Sequence, residues 1–255
     1  MLRVRPIHFT SRFDEWERLL TDLGMVKTVD EPTWREFDAG SGRLALHFTE
    51  EGSAEDGTTS FGVEVGDLPE FARRTTEAGA AAGTSAAGTT AELVDADHGP
   101  SCRVTAADGF SFLADPAKHA ADGSWGGAAE ADPGVAVVVV WFSEDAVAAA
   151  RTLRDIGARP RPIPGGDADT AESEAFTAKN GGILMVGAGT GAASAGLGFE
   201  YTGDLDALRE RLVEAGHEAA VIEEAAVPTL HVANPDADGV AAHPPLWISA
   251  APALG

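Results

Sequence analysis

The chain has 255 residues, 44% hydrophobic and 23% charged, a balance that argues against a disordered chain. Its 18 Lys and Arg against 41 Asp and Glu give a formal charge of −23, which repels nucleic-acid phosphates and anionic lipid. The single cysteine, Cys102, excludes an internal disulfide framework and a cysteine-rich zinc site. The N-terminus carries no apolar stretch of signal-peptide length, and the longest apolar run, Val135 to Phe142, is too short to cross a bilayer as a helix. These features predict a soluble cytoplasmic protein that binds neither nucleic acid nor membrane.

In chain order, Arg3 to Thr10 reads as a strand. Trp16, Leu19, Leu20 and Leu23 then follow helical spacing, with Ser11 as N-cap and Gly24 as stop. Strands are expected at Trp34–Phe37, Leu44–Phe48 and Phe61–Val65. A helix opens at Asp67 and ends at Gly79, and strands at Ser101–Thr105 and Phe110–Leu113 flank an Asp108-Gly109 turn. The Gly-, Ala- and Asp-rich segment 119–133, which contains Trp125, reads as a linker between domains at 1–118 and 134–255.

The second half repeats the order. Val135–Phe142 is a β-branched strand. Glu144 to Ile156 is a helix, with Val147, Ala150 and Leu153 on its apolar face and Gly157 after it. Strands follow at Ala175–Ala178, Ile183–Val186 and Gly198–Tyr201. A helix from Asp204 to Gly216 leads to strands at Thr229–Val232 and Val240–His243 around an Asp238-Gly239 turn. The segments starting Asp67-Leu68 and Asp204-Leu205 both reach Glu-Ala-Gly at the same spacing, so the halves read as internal repeats. Asp67 and Asp204 are placed as N-caps, and Gly79 and Gly216 as the left-handed residues after the last turn.

This fourfold strand–helix–strands order resembles the vicinal oxygen chelate superfamily, which includes glyoxalase I, bleomycin-resistance proteins, fosfomycin-resistance enzymes and extradiol dioxygenases. The resemblance is carried by Trp16-Glu17-Arg18-Leu19-Leu20-Thr21-Asp22-Leu23-Gly24-Met25, by Val65-Gly66-Asp67-Leu68, and by Asn234-Pro235-Asp236-Ala237-Asp238-Gly239 before a final strand. It implies an α+β fold: two tandem glyoxalase-like domains of four βαβββ modules, with curled mixed sheets forming cups. It also implies a divalent ion on the cup floor in metal-dependent members, held from first and last strands.

Carried across, the first-strand positions fall on Val4, Ser60, Val137 and Leu197, and the last-strand positions on His47, Leu113, Met185 and His243. Six of these eight are not normal metal ligands, so no metal or other cofactor is expected. The alternative is a divalent ion on His47 and His243. Without metal, both histidines line the cup as neutral hydrogen-bonding groups. His8, on the strand face of Val4, reads as a ligand or general base, or as a strand-end histidine bonded to a neighbouring loop. Trp34, Trp141 and Trp247 either stack on a flat ligand or pack in the core. His98, His119 and His217 sit in polar segments and read as solvated, and Cys102 reads as a buried inert thiol.

The ligand-binding set is therefore His47, His243, His8, Val4, Leu197, Trp34, Trp141 and Trp247, with Val4 and Leu197 as a floor between modules one and four. The expected protein binds a small organic molecule, as monomer or homodimer. The alternative is a metal-dependent lyase, isomerase or dioxygenase of the same superfamily.

Overall fold

The structure is a computed structural model that describes residues 1–81, 88–118, 127–162, 173–222, 228–238 and 243–251. His119, Trp125 and most of the expected linker lie outside the described residues.

The first module contains β1 (Leu2–Val4), β2 (Ile7–Thr10), α1 (Phe13–Asp22), β3 (Val26–Glu31), β4 (Trp34–Asp38) and β5 (Arg43–Phe48). The second contains β6 (Thr59–Ser60), β7 (Gly62–Val65), α2 (Leu68–Ala81), β8 (Thr90–Ala96), β9 (Gly99–Thr105) and β10 (Ser111–Pro116). The third contains β11 (Val135–Ser143), α3 (Ala146–Asp155), β12 (Arg159–Arg161), β13 (Ser173–Thr177) and β14 (Ile183–Ala188). The fourth contains β15 (Ser194–Tyr201), α4 (Leu205–Glu214), β16 (Ala219–Ile222), β17 (Thr229–Val232) and β18 (Leu246–Ala250). Four strands missing from the sequence reading, β3, β8, β12 and β16, lie at sheet edges. Most of their described residues are partly or fully exposed, so they lack an apolar alternation to read.

Each module pairs a first strand in parallel with its last: β2 with β5, β7 with β10, β11 with β14 and β15 with β18. First strands then meet antiparallel, β1 with β7, β2 with β6, and β11 with β15. Strands β7 to β10 form a five-stranded sheet with β1, while β2 to β6 join the strands of modules three and four in a thirteen-stranded sheet. Proline has no N–H to donate, and the first strand breaks into β1 and β2 around Pro6. The halves are stitched by a Thr59–Ala195 pair, a Ser41–Ala136 bridge and a Val4 N–H to Gly181 C=O bond of 2.9 Å.

One sheet face from each half and the apolar stripes of all four helices form one contiguous core, from Trp16 and Leu20 through Val63 and Val137 to Leu212. Helix α1 lies against α4, and α2 against α3. Asp204 caps α4 by accepting from the N–H groups of Asp206 and Ala207, and Asp67 accepts from Glu70 at 2.8 Å. Gly24, Gly157 and Gly216 take the left-handed conformation after their helices.

Four local expectations are corrected. Gly79 lies inside α2, where a Cβ would come within 2.1 Å of the Thr89 carbonyl oxygen. It permits a close backbone approach and does not end the helix. Ser11 donates to Asp56, and Arg12 holds the N-cap position of α1 without a side-chain cap. Val147 is exposed, because α3 turns Ala149, Ala150, Thr152 and Leu153 to the core. The last strand among the described residues is Leu246–Ala250, so His243 precedes it, and the rest of the expected closing turn and strand, 239–242, lies outside the described residues. Pro244 and Pro245, which cannot donate to a ladder, separate His243 from the strand.

Candidate functional site

Alternation along the strands decides which side chains face the first cup. Leu2, Val4, Val63 and Val65 face the helices and belong to the core. Arg3, Arg5 and Glu64, on the opposite face, meet inside the cup. Arg43 and His47 of β5 share the face of Ala45, and Leu113 and Asp115 of β10 lie on the corresponding face of their strand. The floor is a buried ion network. Arg5 donates to Asp115 and lies 3.5 Å from both Glu36 and Glu64. Arg43 reaches Asp38 at 2.5 Å, Glu36 at 3.1 Å and Glu64 at 3.2 Å, and Arg3 lies 2.5 Å from Glu64. Burial disfavours the charge on Arg43, but Asp38, Glu64 and Glu36 outweigh it and hold the guanidinium more firmly protonated. Asp115 also accepts from Ser101 at 2.6 Å and contacts His98 at 2.9 Å.

Above this floor opens a cavity of about 1350 Å³. Phe9, Trp34 and His47 line it from module one, Phe110 and Leu113 from module two, and Phe142, Leu197, His243 and Trp247 from the second half. His47 pairs across the sheet with Trp34 and Phe9, with ring centroids 5.8 and 5.2 Å away. Its Nδ1 is buried and has no hydrogen-bond partner among the described residues. The Arg5 guanidinium carbon sits 5.4 Å from the Trp34 ring centroid. His243 lies over Gly57, where a Cβ would come within 2.1 Å of its Nε2.

The structure brings His8, His47, His243, Leu197, Trp34 and Trp247 to this cavity. Val4 and Trp141 belong elsewhere. Val4 is fully buried on the helix side, with its side chain against Gly182. Carrying a cup position to Val4 was a one-residue register error, which turns a side chain to the other sheet face. Val137 shows the same error, since it faces the core while Val138 and Val140 face the second cup. Trp141 is fully buried 4.6 Å from Phe110, with Phe61 and Phe112 around it. The cavity lies in the cup of modules one and two with module four on its wall, so the expected floor of Val4 and Leu197 is replaced by the ion network.

His8 is buried and both its nitrogens are engaged. Nε2 lies 2.8 Å from Asp236 and Nδ1 3.0 Å from Thr59, while the ring sits 4.3 Å from that of Trp16. Asp236 also accepts from Thr10 at 2.6 Å and from the Trp16 indole at 2.8 Å. Burial works against the charged carboxylate, yet the bonds from His8, Thr10 and Trp16 outweigh it and leave its pKa below the usual range. Two histidines read as solvated have partners: His98 bonds Asp115, and His217 bonds Asp22 at 2.8 Å. Cys102 is buried, and desolvation, helped by Glu92, pushes its thiol up to about 11, which keeps it inert.

The second cup is packed with apolar groups. Val138, Val140, Ile183, Met185 and Trp247 cluster there. Glycines at 196 and 198 leave room for the rings of Phe142 and Trp247, which a Cβ would meet at 2.9 and 2.2 Å. The sequence reading missed the floor network entirely. The available signal was the run of charged residues at alternate strand positions, Arg3 and Arg5, Glu36 and Asp38.

Paired βαβββ modules curled around cups define a fold class, and solved structures identify it. The chain is similar to a catechol 2,3-dioxygenase (TM-score 0.57, 16% identity, covering 99% of this chain and 94% of that one). It is also similar to a Mn(II)-bound glyoxalase from Novosphingobium aromaticivorans (0.56, 11%, 97% and 80%) and to the 2,3-dioxygenase LapB from Pseudomonas sp. KL28 (0.56, 10%, 98% and 91%). The fold is the one shared by these solved dioxygenase and glyoxalase structures. No protein-family model and no curated protein matches the sequence. No helix among the described residues is long and apolar enough to cross a membrane.

A manganese-bound neighbour makes a divalent ion the group to test against these residues. Among the described residues no three or more His, Cys, Asp or Glu side chains are grouped to hold one. The floor carboxylates Glu36, Asp38, Glu64 and Asp115 are already paired with Arg5, Arg43 or Arg3, so an ion would have to displace a guanidinium. In the second half Glu200, in register with Ala136, is held by Arg161 at 2.8 Å, and Met185 offers only a soft thioether. The residues present do not fit a standard divalent site.

Proposed function

We propose that the chain binds a small aromatic or amphipathic organic molecule in the first cup, without a standard metal centre. The observation that supports this is the cavity itself: aromatic walls from Trp34, Phe9, Phe110 and Trp247 stand over a floor whose charges are internally paired. Aromatic walls supply stacking area, and a few convergent polar groups fix orientation. The buried, unpartnered Nδ1 of His47 is such a group, and His243 is a second on the opposite wall. The cavity is large enough for a drug-sized molecule.

Metal analysis of protein purified without an affinity-column metal tests the reading. The expected result is no stoichiometric manganese, iron, nickel or zinc. One equivalent of a tightly held ion, lost on changing His47 and His243 to alanine, would overturn it in favour of a lyase, isomerase or dioxygenase built on those histidines.

A further inference from the structure

On the footing of the proposed function, that an organic molecule fills the first cup, we infer that this molecule is a protonated organic amine: an ammonium carried on an apolar or aromatic body. A row of side chains crosses one face of the sheet. Glu31 of β3 pairs with Trp34 of β4, Trp34 pairs with His47 of β5, and His47 pairs with Phe9 of β2. Residues directly opposite on neighbouring strands project to the same face, and all four line the cavity. Glu31 is exposed. Its neighbour Asp30 takes Lys27 and Arg35, and Glu31 is left without an ion-pair partner among the described residues. A free carboxylate beside an indole and a phenyl ring suits an ammonium, because the carboxylate offsets its charge and the ring faces attract a cation. The buried, unpartnered Nδ1 of His47, when it carries no proton, accepts one of the ammonium N–H groups.

The charges of the cup favour the same occupant. On the floor Arg3, Arg5 and Arg43 face Glu36, Asp38, Glu64 and Asp115, which leaves one formal negative charge in excess. Glu31 and Asp97 also line the cavity, against Lys118, which leaves another. With its histidines neutral, the cup is therefore short of positive charge, in a chain whose formal charge is −23. Arg5 is no barrier to an entering cation, because Glu36, Glu64 and Asp115 surround it. An anion would meet the excess negative charge with every floor arginine already paired to a carboxylate, and a neutral aromatic molecule gains stacking alone.

The test is fluorescence titration of the full chain with three probes that share one aromatic body and one chain. Dansylcadaverine ends in an ammonium, its N-acetyl derivative is neutral, and dansyl-6-aminohexanoic acid ends in a carboxylate. The titrations are run in EDTA at about pH 8, where unperturbed histidines are mostly neutral. Dansylcadaverine is expected to bind about fivefold more tightly than its acetyl derivative, and the acid more weakly than either. In Glu31→Gln, a change at an exposed position, the preference for the amine is expected to fall to about twofold while the acetyl derivative keeps its affinity. Glu214→Gln, exposed on α4 and outside the cavity lining, removes the same charge from the chain and is expected to keep the full preference. Equal affinity for the amine and its acetyl derivative, tighter binding of the acid, or an equal loss of preference in Glu31→Gln and Glu214→Gln overturns the inference, and saturable binding of the acetyl derivative then leaves the proposed function standing. Saturable binding of none of the three overturns both.

Discussion

His8 and Asp236, 228 positions apart in the chain, meet through a buried 2.8 Å hydrogen bond that ties the first strand of module one to the turn of module four. Thr10 and Trp16 donate to the same carboxylate, so one aspartate anchors a strand, a helix and the opposite half of the molecule.

Asp236→Asn is expected to destabilise the fold by about 3 kcal/mol at neutral pH, because a buried carboxylate with three partners is replaced by a neutral amide. The native carboxyl titrates below its unfolded value. The unfolded chain therefore binds the extra proton first as pH falls, and the stability this group supplies is present above the unfolded carboxylate range. It is lost as pH drops through the native value. Urea unfolding of wild type and variant at neutral pH and at successively lower pH should show the gap narrowing in acid. A constant gap contradicts the assignment.

Gly79→Ala is expected to lower stability by about 2 kcal/mol, although alanine ordinarily favours a helix interior over glycine by about 1 kcal/mol. The reason is the Thr89 carbonyl oxygen, 2.1 Å from where the Cβ would sit. Amide exchange checks the cause: Gly79→Ala is expected to lower protection along the contact between α2 and β8. A Gly79→Ala protein as stable as wild type would show that the backbones do not approach this closely.

His47→Ala and His243→Ala, measured singly and together for binding of the neutral dye Nile red, are expected to be non-additive by about 0.5 kcal/mol or more, because both line one cavity. Strictly additive losses would place them on separate ligands or separate sites.

Much of the architecture is legible in the sequence because it rests on periodicity. The Trp16–Leu23 stripe marks α1, and the capping aspartates Asp67 and Asp204 mark the starts of α2 and α4. The polar edge strands β3 and β8 have no comparable signature. The site is less legible because strand side chains alternate, and moving from Val4 to Arg5 exchanges a core residue for the centre of the ion network. The pairing of His8 with Asp236 joins residues too far apart for any local pattern to register. His243 shows a third limit: a closing strand was read through it, whereas the prolines at 244 and 245 delay that strand to Leu246.

The central claim, ligand binding in the first cup without metal, is tested most directly by titrating the wild-type chain with Nile red in the presence of EDTA, beside Trp34→Ala. The account predicts saturable one-to-one binding in EDTA with a blue-shifted emission, and an affinity about tenfold weaker in Trp34→Ala, where one wall of the stack is lost. Binding that is absent in EDTA, appears only with a stoichiometric divalent ion and is indifferent to Trp34 would contradict it.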